Sequence, residues 1–197
     1  PLVKRVRELF PDIRLKVVEA LSGHMRDWVL SGQADLAVTF GAEPTPGLTT
    51  QFLARESLCL VGPLHDPLIA HAAAIEMDQV LDLPLIMPSR PHGVREEVER
   101  AATIRRRPPN VVVELDALHQ IKPLVADGIG YTILSQRYAR HGSDSERLSV
   151  LPITRPAIER VISLAHASDR PLSVAAGAVQ AQLLHLVTRL THDGRWI

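Results

Sequence analysis

The segment VVVELDALHQIKPLVADGIGYTILS, residues 111–135, constrains the fold more than any other part of the chain. A β-branched run, Val111, Val112 and Val113, stops at an acidic turn from Glu114 to Asp116. Leu118, Ile121, Leu124 and Val125 then recur at helical spacing, Gly128 closes the helix, and a second strand begins at Ile129 and reaches Leu134. Strand, helix and strand in so short a span form a βαβ unit, the building block of a parallel sheet covered by helices. Such sheets bind small molecules at the carboxyl ends of their strands, where helix N-termini point at the ligand. The site is therefore expected near the 114–119 turn and not at the glycines. Pro123 stands out, because it has no N–H to offer the carbonyl of His119; a bend or a late helix start is expected.

The rest of the chain alternates in the same way. An opening helix carries Leu2, Val3, Val6, Leu9 and Phe10 and ends at Pro11; Ile13, Leu15 and Val17 then alternate with Arg14 and Lys16 as in a strand. Ser22 is a plausible cap for a helix carrying Met25, Trp28 and Val29, with Gly32 at its end. The run ADLAVTF reads as a buried strand, a turn follows at 44–47, and strands are expected around 48–54 and 56–62. A short 78–82 helix precedes a strand from Pro84 to Met87, a PSRPHG loop, and a helix with Val94, Val98, Ala101 and Ala102 on one face. Arg105, Arg106 and Arg107 end that helix and read as cations favoured by its dipole. The alternative, a nucleic-acid patch, lacks aromatic interleaving. A short helix near 136–140, strands at 147–151 and 158–166, and a long helix from about Pro171 to Thr191 complete the pattern. Two blocks of strand and helix, with the final helix returning to the first, imply α/β architecture in two doubly wound lobes with a cleft between them.

Composition removes several classes. Of 197 residues 46% are hydrophobic and 22% charged, so the chain can bury a core. Lys plus Arg and Asp plus Glu are both 22, leaving no net positive field to recruit nucleic acid. The single cysteine, Cys59, lies in an apolar run and reads as inert packing, and no disulfide framework is possible within one chain. The nine histidines are scattered without an i, i+4 pair, so neither a metal nor a catalytic constellation is expected. Gly128-Ile129-Gly130 closes a helix instead of opening one, unlike a dinucleotide fingerprint, and no cofactor is implied. No apolar run is long enough for a membrane span. The chain opens on Pro1, in helix, and reads as a fragment.

Taken in order, PLVKRVRELFPDIRLKVVEALSGHMRDWVLSGQADLAVTF, ESLCLVGPLHDPL, LIMPSRPHG, ELDALHQIKPLVADGIGYTILS and LSVLPITRPAIERVISLAH with the closing helix resemble the effector-binding domain of LysR-type transcriptional regulators. PSRPHG and GYTIL look closest to the regulators of nitrogen assimilation. The resemblance implies a two-lobed fold like the type II periplasmic binding proteins, with lobe I at 1–55 plus 161–197 and lobe II at 56–160. It implies a winged helix-turn-helix, a linker helix and a first strand that are not in this chain. It also implies a cytoplasmic protein without catalytic activity that dimerises, forms a tetramer at full length, and touches DNA only through the missing domain.

By the same resemblance the pocket is lined by the loops after the ADLAVTF and LIMP strands and the turn after VVVEL. The candidates are Thr39, Phe40, Ser89, Arg90, His92, Ala117 and Leu118. Each has a plainer role: strand-end packing for Thr39 and Phe40, turn and capping for Ser89 and His92, a solvated surface for Arg90. Two helix N-termini, near 92 and 117, converging with a bidentate Arg90 favour an anionic effector such as a small carboxylate. Dipoles of roughly 0.3–2 kcal/mol each and charged hydrogen bonds of about 1.5–3 fit millimolar to micromolar binding. The competing readings are a solute-binding protein of a transport system with the same fold, and an α/β enzyme.

Overall fold

A computed structural model of the chain describes residues 1–20, 22–41 and 45–194. The side chain of Ser22, on which the expected cap depends, and Pro44 of the expected turn lie outside the described residues. The first half holds α1 (Leu2–Leu9), α2 (Ser22–Leu30), β1 (Ala37–Phe40), β2 (Leu48–Pro63), α3 (Pro67–Ala70), β3 (Ile75–Glu76), α4 (Met77–Asp82) and β4 (Leu85–Met87). Then come α5 (Gly93–Arg105), β5 (Val111–Glu114), α6 (Leu118–Ala126), β6 (Thr132–Ser135), α7 (Gln136–Ala139), β7 (Leu148–Thr154), β8 (Glu159–Ala167) and α8 (Val174–His192). The chain forms two compact units, Pro1–Arg55 with Val161–Ile197 (unit 1) and Glu56–Arg160 (unit 2).

In unit 1, β1 pairs antiparallel with β8, Ala37 opposite Ala165 and Phe40 opposite Ile162. Side chains alternate across these strands, so each face finds its own helix. Ala37 and Ala167 pack with Met25 and Val29 of α2. Phe40, Leu53, Ile162 and Leu164 pack with Leu183, Leu184 and Val187 of α8. Along α8 also lies α1, tied by Arg5 Nε donating to Gln182 Oε1 at 2.5 Å. The strand expected at 13–17 does not form. Ile13 and Leu15 are half-buried, as the alternation demands, but Val17 is 73% exposed. Alternation makes a strand only where a neighbour completes the ladder, and no strand among the described residues pairs with this segment.

Unit 2 is built on a mixed sheet. The two strands expected at 48–54 and 56–62 are one, β2, because Arg55-Glu56 contains none of the residues that turn a chain. Antiparallel partners flank β2, with Leu60 opposite both Ile133 of β6 and Leu151 of β7. Three pairings are parallel: β3 with β7, β4 with β5, and Leu85 of β4 with Tyr131 just before β6. The expected parallel βαβ unit is thus β5-α6-β6, set beside an antiparallel strand that its own sequence cannot reveal. In β4 Leu85 and Met87 enter one cluster, with Leu58, Leu60, Val98 and Ile133, whereas Ile86 enters the other, with Val61, Ile121 and Val125 of α6. Both faces of the strand are covered, which explains its continuous apolar run. Each fully buried Leu or Ile contributes about 1.5–3 kcal/mol.

Two punctuation residues acquire distinct reasons. Gly128 has φ +78° and ends α6, with Ile129 N donating back to Leu124 O at 3.1 Å. Gly130 is required for close approach: a Cβ there would lie 2.5 Å from the carbonyl oxygen of Pro84, just before β4. α6 begins at Leu118, two residues after Asp116, yet Pro123 still lies inside it. At the end of α5 two arginines are tied to acidic side chains, Arg105 Nε to Asp78 at 2.5 Å and Arg107 to Asp82, while Arg106 adopts the left-handed conformation that stops the helix. Among the described residues no helix is long and apolar enough to cross a membrane.

Candidate functional site

The carboxyl end of β4 and the turn after β5 come together in unit 2. Parallel pairing places Met87 beside Glu114, so the chain leaving each strand emerges on the same edge. There Ser89 N donates to Asp116 Oδ1 at 2.8 Å, and Ser89 Oγ lies 2.7 Å from both carboxylate oxygens. A carboxylate therefore already sits in this donor set. Asp116 is exposed and Ser89 half-buried.

Arg90, expected as a free clamp, reaches back to α5, with Nη2 2.7 Å from Glu99 Oε2 and a side chain 71% exposed. Arg95 shares the same carboxylate, Nε to Glu99 Oε1 at 2.5 Å, and reaches Glu114 Oε1 at 3.0 Å. Burial works against the Glu99 carboxylate, but the two arginines outweigh it and hold its pKa below the ordinary value. In this cluster Arg90 and Arg95 face Glu99 and Glu114, so the cations are balanced locally.

His92 is the N-cap of α5. Its Nδ1 accepts from Val94 N at 3.3 Å, and its ring is buried. Burial first, then the positive field of Arg160, lowers its pKa from 6.5 to about 4, with Asp116 opposing; the ring is neutral at physiological pH. Ala117 precedes α6 without a side-chain cap, and Leu118 packs against the Val61–Ile121–Val125 cluster. In unit 2 the structure thus brings Ser89, Arg90, His92, Ala117 and Leu118 to one strand-end region, with His92 turned inward.

In unit 1, Phe40 serves the core beneath α8. Thr39 points to the opposite face of β1, the α2 side, and pairs in register with Ser163 of β8. Both are buried, at 6% and 9% exposure, and among the described residues neither hydroxyl has a hydrogen-bond partner. At the end of the same strand Arg26 of α2 donates to Phe40 O at 3.2 Å. Asp116, Glu99, Ser163 and Arg26 join the candidates only in the folded chain. Only Asp116 carried a signal, its place in the acidic turn after β5; the others depend on strand register or helix facing that a single sequence does not state. Among the described residues no group of histidines, cysteines and carboxylates could hold a metal ion.

This fold has known counterparts. The LysR substrate binding domain family matches residues 1–187. The chain belongs to this family. Among LysR-type relatives, the nitrogen assimilation regulatory protein nac of Klebsiella aerogenes is 29% identical over 195 residues, covering 99% of this chain and 63% of that protein. The nac protein of Escherichia coli K12 is 26% identical, covering 95% of this chain and 60% of its own length. The chain thus spans about three fifths of the length of these two relatives. Solved domains of the same fold include the Synechocystis CcmR regulatory domain in complex with 2-PG (TM-score 0.81, 23% identity, 94% of this chain and 89% of that one). The effector-binding domain of QuiR in complex with shikimate is another (TM-score 0.82, 20% identity, 95% and 89%). The named LysR-type relatives are transcriptional regulators, which leaves both the enzyme and the solute-binding readings without support.

Proposed function

We propose that this LysR-type domain senses a small anionic metabolite, dimerises, and biases an N-terminal DNA-binding domain in a cytoplasmic regulator that is tetrameric at full length. The observation that carries the anionic reading is the donor set at the end of β4, where Ser89 N–H and Oγ hold a carboxylate oxygen at 2.7–2.8 Å. Related domains solved with 2-PG, shikimate and benzoate support the choice of a small molecule. Ser89, Arg90, His92, Ala117 and Leu118 in unit 2, and Thr39 and Phe40 in unit 1, are the proposed contact residues. A coupling of about 1–3 kcal/mol between effector and DNA suffices for such a switch. Thermal denaturation of the full chain across a panel of small metabolites tests the reading. A carboxylate or phosphate is expected to raise Tm with saturation in the micromolar to millimolar range, and Ser89→Ala to abolish the rise. A panel in which nothing anionic shifts Tm would contradict it.

A further inference from the structure

We infer that Asp116 is an internal competitor for the effector: its carboxylate occupies the Ser89 donor set in the free protein and must leave before an external anion can bind there. The inference rests on the anionic reading of that site and adds how it is regulated. Ser89 N–H and Oγ–H are two donors converging on one point, and both are engaged by Asp116. A backbone N–H donates a single strong bond, so an incoming carboxylate or phosphate oxygen cannot take it while Asp116 Oδ1 holds it at 2.8 Å. Arg90 and Arg95 give the newcomer no independent anchor, because both lie on Glu99. Repulsion from Asp116 adds to the competition until the side chain swings away.

Leaving is feasible because Asp116 is exposed, so its displaced carboxylate returns to water and not to an apolar interior. It is also consequential. Asp116 immediately precedes Ala117, the N-cap of α6, and Leu118 N donates to Asp116 O at 2.9 Å. The same residue therefore carries the ligand-mimicking carboxylate and a backbone bond of the turn that leads into α6. Exchange of Asp116 for an effector anion at Ser89 frees the turn that starts this helix, which is how occupancy is reported within unit 2. A tie that only holds the β4 and β5 loops together would have the opposite mutational signature, since cutting it would weaken the site.

The test compares wild type, Asp116→Asn, Asp116→Glu and Ser89→Ala in the full chain, titrated with benzoate, shikimate, 2-PG and inorganic phosphate, with neutral benzamide as the control. Asn keeps an oxygen for Ser89 but loses the charge, so an anion that binds wild type should bind D116N roughly tenfold more tightly, the factor expected when a charge-assisted hydrogen bond no longer competes. D116E should stay close to wild type, S89A should lose the anion, and benzamide should change less than twofold. In parallel, the Ser89 amide resonance should move on anion addition in wild type and should already be displaced in D116N. If D116N does not fold, that amide shift in wild type decides alone: saturable movement supports displacement, and a fixed Ser89 signal at anion saturation overturns it. Binding that D116N leaves unchanged or weakens overturns the competitor and leaves the anionic reading standing. Failure of every anion to bind every variant overturns both.

Discussion

At the scale of single residues, His92 couples the site to acid stability. Its pKa is about 4 in the fold against 6.5 in an exposed chain, because burial and Arg160 both disfavour the imidazolium. Below pH 6.5 the unfolded chain takes up a proton that the folded chain refuses until about pH 4, so stability falls as pH drops through this window. The full loss is on the order of 3 kcal/mol. Asn at this position keeps an N-cap acceptor but does not titrate. His92→Asn should therefore flatten the decline of urea stability between pH 6.5 and 4.5 relative to wild type. Parallel curves for the two proteins would show that the ring carries no linkage. The sequence does indicate that Ser89, Arg90 and His92 precede a helix. It does not show that Ser89 meets Asp116, that Arg90 meets Glu99 or that His92 is buried, because the first partner lies 27 residues away and the rest depends on how α5 packs. A reading from one segment sees donors; a fold shows which of them are spent.

At the scale of elements, the return from α6 to β6 uses two glycines for unrelated reasons. Adding a Cβ at Gly128 meets nothing within 4 Å, but its φ of +78° suits glycine alone. At Gly130 the obstacle is the Pro84 carbonyl oxygen at 2.5 Å, a backbone atom fixed by Tyr131 N donating to it at 2.8 Å. Gly128→Ala should cost about 1 kcal/mol of backbone strain. Gly130→Ala must part β4 from the start of β6 and should cost more, about 2–3 kcal/mol, with loss of the bridge between Leu85 and Tyr131. Urea titrations of the two variants decide the order, and an equal or inverted cost would mean the strands can separate freely. Such elements were legible wherever period and punctuation agree, as in α5, α6, β4 and α8. The 13–17 alternation misled because half of a strand's definition is its neighbour. β2 misled in the other direction: a sixteen-residue strand passing from one unit into the other has no local marker at Arg55-Glu56.

At the scale of the whole molecule, the chain passes from unit 1 to unit 2 at Arg55/Glu56 and returns at Arg160/Val161. The residues on the unit 2 side of these two crossings, 104 positions apart, form an ion pair, Arg160 Nε to Glu56 Oε1, with side chains only 13% and 15% exposed. Desolvation lowers the Arg160 pKa in spite of Glu56, so the pair exists at a cost that each partner offsets for the other. Removing one charge takes this partner from the other in the same buried surroundings. Arg160→Met or Glu56→Leu alone should each destabilise by about 3–5 kcal/mol, whereas the double variant, with two apolar side chains in the same space, should lose far less than the sum. A double-mutant cycle in urea measures the coupling, expected at about 1–3 kcal/mol. Additive losses would mean that the two crossings are held independently. Strong coupling would make this pair the point where two separated stretches of chain enter and leave unit 2 as one. Because Arg160 also depresses His92, the Arg160→Met variant should raise the pKa of His92 towards its ordinary value, an NMR-readable change that links the crossing strands to the cap of α5.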